Sequence, residues 1–137
     1  MSVRIDFTYT GELRCSAIHA PSKNELVTDA PVDNQGKGES FSPTDLVATA
    51  LGSCILTTMA IFAGRHSVDL RGATATVHKE MISTPSRRIG KLTAEIRLPL
   101  PESHPQRAAL EGAGLTCPVH QSMHPDVVQE ISFLWHG

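Results

Sequence analysis

The sequence predicts an α+β fold, and two observations carry that prediction. Amphipathic strand patterns cluster towards both ends of the chain, and one long uncharged helical stretch lies between them. A doubly wound parallel sheet would instead alternate strand and helix throughout. At 137 residues the chain fits a single domain, 1–137, large enough to bury a hydrophobic core without a disulfide or a structural metal.

Val3, Ile5, Phe7 and Tyr9 alternate with Arg4, Asp6 and Thr8. Thr10-Gly11 then turns the chain into Leu13, Cys15 and Ala17, predicting a β-hairpin with one buried face. Glu25 to Asp29 adds a short strand. Pro31 to Phe41 is rich in Pro, Gly and polar residues and reads as a loop; its Gly36-Lys37-Gly38 lacks the spacing of a phosphate cradle. Further on, Ala73 to Met81 and Ile89 to Leu98 read as strands joined by a hairpin loop. Short helices are expected from Ser103 to about Ala113 and from Cys117-Pro118, and Ile131, Phe133 and Trp135 mark a last strand.

The central stretch begins with strong helix-entry chemistry: Ser42 as N-cap, Pro43 in the first helical position and Asp45 where a capping box places its acid. Gly64 offers a stop. A helix of about 22 residues is roughly 33 Å long, close to the diameter of the whole globule. Leu46 to Gly64 carry no charge, which raises a membrane-spanning reading. The Thr, Ser, Ala and Gly content, the cap and the amphipathic strands on both sides argue against a membrane. A helix apolar on nearly every face must be buried on all sides, and a single thin shell covers it poorly, so a second subunit is expected to supply part of the cover.

A net charge of −2 with no Lys or Arg run excludes the electrostatic footprint of a nucleic-acid binder. The N-terminus lacks the basic-then-apolar layout of a secretory signal, so a cytoplasmic protein with reduced thiols is expected. Three widely spaced cysteines do not form a disulfide framework. Cys54 lies mid-helix on a face with Val47, Ala50, Leu51, Thr58 and Ile61. Cys117, before Pro118, is expected to cap a short helix, where backbone N–H groups favour a thiolate. Cys15 fits the apolar side of the hairpin as a packing residue. Cys117, His120 and His124 have a spacing that could also hold a metal on one helical face.

Ser42-Pro43-Thr44-Asp45-Leu46, then Ala50-Leu51-Gly52-Ser53-Cys54, then Cys117-Pro118-Val119-His120 resemble the OsmC/Ohr family of thiol-dependent peroxidases. Order and spacing match over nearly the whole chain, including Thr28-Asp29-Ala30-Pro31 and the last strand. The resemblance implies an intertwined homodimer with antiparallel sheets around a long central helix, no cofactor, Cys54 as peroxidatic thiol and Cys117 as resolving thiol. It implies an organic hydroperoxide substrate, an external thiol or dithiol reductant, and an arginine from the N-terminal sheet beside the thiolate, matched here to Arg14. The family's well-known members also place a Glu where this chain has Thr44. Asp45 follows, either to orient the arginine or only to cap the helix. Two other readings keep the residues but not the chemistry: a non-catalytic ligand-binding or stress-associated dimer, and a metal protein using Cys117, His120 and His124.

Overall fold

Alternation near the N-terminus builds the first sheet. In the computed structural model, which describes residues 1–137, strands β1 (Ile5–Gly11), β2 (Arg14–His19) and β3 (Glu25–Asp29) pair antiparallel in the order β1-β2-β3. The turn differs from expectation. Glu12 and Leu13 occupy its two central positions, both at positive φ, so Leu13 belongs to the turn and not to the strand face. Gly11, at φ +93°, takes up the register shift between Tyr9 and Gly11 that a side chain would resist. Ile5, Phe7 and Tyr9 stay about half to two-thirds exposed, at 49%, 68% and 64%. The predicted strands form, but the expected buried face is not covered within the chain.

The loop after β3 contains one 3-10 turn at Val32–Asn34. Helix α1 (Pro43–Arg65) then enters through the predicted capping box: Asp45 N–H donates to Ser42 Oγ at 3.0 Å, and Ser42 N–H donates to Asp45 Oδ2 at 2.9 Å. Gly64 does not stop it; the helix runs one residue further.

The chain clusters into two compact units, Met1–Val47 and Ala48–Gly137. In the second, α1 lies on a three-stranded sheet in the order β4-β5-β6, formed by β4 (Thr74–Ile82), β5 (Arg88–Leu98) and β6 (Val128–Trp135). Leu92, Ala94, Ile96 and Leu98 of β5 are fully buried, alternating with Lys91, Thr93, Glu95 and Arg97 on the polar side. Each such large side chain contributes about 1.5–3 kcal/mol by leaving water. Gly52 lets α1 come close to the sheet: a Cβ there would sit 3.0 Å from Val77 Cγ2 and 3.7 Å from Ala75 Cβ. The sheet is mixed, since β6 runs parallel to β5 while β4 runs antiparallel to it. A parallel neighbour requires a crossover, and helices α2 (Arg107–Gly114) and α3 (Pro118–Ser122) provide it. Helix α2 begins later than the expected Ser103, because Pro101 to Gln106 turn twice before the helical bonds begin.

Within the single chain, α1 is buried along one side only. Ala48, Leu51, Gly52, Ile55, Met59 and Ala63 form one buried stripe with helical spacing, while Ile61 is 54% exposed. One small sheet can cover only one side of a cylinder.

Candidate functional site

Cys54 and Cys117 are brought together by the second unit. Cys54 sits half-buried on α1, and its Sγ lies 3.9 Å from Thr58 Oγ1, one helical turn on. Cys117 is fully buried at the N-cap of α3. Both thiols are free, and Cys54 is near enough to act electrostatically on Cys117. The expected cap is present: His120 N–H donates to Cys117 Sγ at 3.2 Å. Its electrostatic outcome is not the expected one. Burial pushes the Cys117 thiol above the ordinary range, outweighing the His120 N–H that draws it down, and the neighbouring Cys54 pushes it further up. Cys117 is therefore held as a thiol and not as a thiolate.

His120 is itself fixed from β6. Its ring Nδ1 lies 2.7 Å from Gln129 Oε1, and Gln129 Nε2 donates to the His120 carbonyl at 3.3 Å. The metal reading fails at this point. Helix α3 ends at Ser122, so His124 lies beyond it, exposed, where its Nδ1 accepts from Asp126 N–H at 3.0 Å. No group of three or more His, Cys, Asp or Glu side chains converges as a metal site anywhere in the chain.

Beside the thiols, Thr58, Ile61, Phe62 and Arg65 of α1 face Ala109, Gly112, Ala113 and Thr116 across a groove of about 280 Å³. Its walls are mostly apolar, with Thr58, the hydroxyl that contacts Cys54, at one point and Arg65 at another.

The first unit holds Arg14. Its Nη2 lies 3.5 Å from Asp29 Oδ2 and 3.1 Å from Glu39 Oε2. Asp29 is almost fully buried, and its Oδ2 also accepts from Glu39 N–H at 2.9 Å. That N–H, with Arg14 adding to it, holds the Asp29 carboxyl below the usual carboxylate range despite burial. Reciprocally, Asp29 and then Glu39 hold the guanidinium more firmly charged. Asp29 Oδ1 is buried without a donor. Asp45, the acid considered in the sequence as an orienting partner, closes the helix cap described above. Thr44, in the position of the family's Glu, lies with its Oγ1 3.3 Å from Ser42 Oγ. Cys15 sits partly buried on β2 opposite Tyr9 and Thr28.

Glu39 and Gln129 were not singled out in the sequence, Thr58 was named only as sharing the Cys54 face, and Asp29 only within the Thr28-Asp29-Ala30-Pro31 stretch. A signal existed for Asp29, because an acid and a base lie at the ends of neighbouring predicted strands, but it becomes readable only once the register pairs Arg14 with Asp29. Nothing local marks Gln129.

A family model described as OsmC-like protein matches residues 36–132. Among solved structures, the chain is 46% identical to a Psychrobacter arcticus 273-4 protein, with TM-score 0.87, covering 96% of this chain and 94% of that one. That protein carries the provisional description of an osmotic stress induced and detoxification response protein. An organic hydroperoxide resistance protein OsmC from Legionella pneumophila is 15% identical with TM-score 0.79, covering 98% and 97% of the two chains. The organic hydroperoxide resistance protein OhrB of Bacillus subtilis is 12% identical with TM-score 0.69, covering 97% and 98%. The last two similarities concern the fold alone. The comparison with curated proteins gave no match.

Proposed function

The chain belongs to the OsmC-like protein family, and we propose that it is a cytoplasmic thiol-dependent peroxidase for organic hydroperoxides, acting over residues 1–137 as one domain in a homodimer. The observation that carries this reading is the pair of free, neighbouring thiols, Cys54 half-buried and Cys117 fully buried.

Cys54 sulfur attacks one peroxide oxygen of ROOH, the O–O bond breaks, and the departing alkoxide takes a proton and leaves as ROH. Cys54 becomes a sulfenic acid. Cys117 sulfur then attacks Cys54 sulfur, the S–O bond breaks, and the leaving hydroxide takes the Cys117 proton as water. An external thiol or dithiol reduces the resulting disulfide. A resolving residue kept as a thiol brings its own proton to that water, which the burial of Cys117 favours. Arg14 is assigned the role of cation beside the Cys54 thiolate on the strength of the resemblance, with Asp29 and Glu39 holding it charged. The apolar groove beside Thr58 suits an organic tail better than hydrogen peroxide.

Support for the dimer comes from apolar surface that the chain leaves open: Ile5, Phe7 and Tyr9 on β1 and Ile61 on α1. The same groove also favours a second reading, a non-catalytic dimer that binds apolar ligands.

Intact-mass and peptide analysis before and after one equivalent of an organic hydroperoxide separates the two. Loss of two hydrogens with a linked Cys54–Cys117 peptide is expected, and Cys54→Ser should abolish peroxide consumption. Unchanged thiols, or oxidation scattered over Cys15 and the methionines, would leave the ligand-binding reading.

A further inference from the structure

We propose that Gln129 is a positioning residue for the Cys117 sulfur, acting through His120. Helix α3 is five residues long and too short to hold its own geometry. The His120 N–H donates to Cys117 Sγ at 3.2 Å, the stronger of two backbone donors there with Val119, so the position of His120 determines whether that bond is kept. Gln129 grips this one residue twice, at the ring and at the backbone carbonyl.

The chemistry of the grip fixes its orientation. A carbonyl can only accept, so the Gln129 NH₂ must face the His120 oxygen; Oε1 then faces Nδ1, and Nδ1 carries the proton it donates. A reversed amide would set oxygen against the His120 carbonyl oxygen and lose that bond. Gln129 is itself anchored, because it lies in register with fully buried Leu92 and so points to the covered side of the sheet. A polar residue there is costly unless both ends are satisfied, and His120 satisfies both.

The consequence for reaction rests on the peroxidase reading. With His120 N–H in place, the Cys117 sulfur is held beside Cys54 and its negative charge is stabilised as its proton leaves in the resolving step. Cys54 is the titratable group against Cys117. Without the grip, α3 shifts, the bond lengthens, and the sulfenic acid on Cys54 waits longer for its partner.

The test begins with a protein that has Cys15→Ser and Cys54→Ser, so that Cys117 is the remaining one of three cysteines. Its thiolate absorbance is followed against pH. Gln129→Met keeps the length of the side chain and removes both hydrogen bonds; the titration midpoint should rise by about one pH unit, the scale of weakening one hydrogen bond to a charged sulfur. His120→Ala removes only the ring contact, leaves the sheet untouched and should give a smaller rise. In the protein with all three thiols, the Cys54 sulfenic acid trapped after one equivalent of hydroperoxide should live several-fold longer in Gln129→Met. A midpoint that stays put in both variants, or falls towards that of a solvated thiol, overturns the proposal. A rise in midpoint in a protein that forms no sulfenic acid upholds the positioning role and removes the peroxidase reading. Normal disulfide formation with an unmoved midpoint does the reverse.

Discussion

The two sheets are written in the same alphabet and finish in different environments. β1 alternates Ile5, Phe7 and Tyr9 with Asp6 and Thr8, and β5 alternates Leu92, Ala94, Ile96 and Leu98 with charged and hydroxyl residues. The β5 set is fully buried beneath α1, whereas the β1 set is exposed. Alternation therefore reports which residues share a face and says nothing about what lies against it. In the second unit the cover is part of the chain. For β1 we have proposed that it is a second copy.

The largest effect expected from this contrast is on stability in the covered sheet. Ile96→Ala should lower the unfolding free energy by about 2–5 kcal/mol, the usual cost of a cavity at a fully buried aliphatic position. Urea unfolding of the two proteins measures it, and a loss well under that range would mean the second core repacks freely.

A smaller effect sharpens the other half of the comparison. Phe7→Asp should leave the folded chain intact but weaken self-association by about 2 kcal/mol or more, as removal of an aromatic anchor does. Sedimentation equilibrium provides the reading; equal dimerisation by the variant, or a monomeric parent at micromolar concentration, would take β1 out of the interface.

The smallest effects are in the pH dependence, where the units should respond at opposite ends. Asp29 has a lowered pKa, so its contribution is complete above about pH 4, the unfolded value, and is lost as pH falls through the folded value. Asp29→Asn should flatten that acid limb. Cys117 has a raised pKa, so its contribution is complete below about pH 8.5 and is lost as pH rises through its folded value. Cys117→Ser should flatten the alkaline limb. Urea midpoints measured across pH test both, and a Cys117 variant whose alkaline slope matches the parent would remove burial as the cause.

Much of the fold could be read from residues close together in sequence. The capping box of Ser42 and Asp45 is a contact three residues long, and it formed with both hydrogen bonds. The strand patterns located β2 to β5 within a residue or so. The turn after β1 moved because Glu12 and Leu13 accept positive φ, which composition does not advertise. Helix α2 began late because Pro101, Pro105 and the intervening turns took up the chain first. At the site, both thiols and the cap at Cys117 were legible, since each belongs to a local motif. The acids that hold Arg14 and the amide that grips His120 were not, because each lies across a strand pairing.

Local chemistry alone thus determined the α+β class, the long helix, the position of Cys54 within it and the start of a short helix at Cys117. Those features depend on bonds within a few residues, which hold whatever the chain packs against. Tertiary structure decided the rest: that β6 runs parallel to β5, that Arg14 meets Asp29 and Glu39, that His124 leaves the helix, and that Cys117 stays a thiol. The last case shows the reason most directly. A helix start favours a thiolate over one or two hydrogen bonds, but desolvation acts on the whole sulfur, and only the packed fold removes its water.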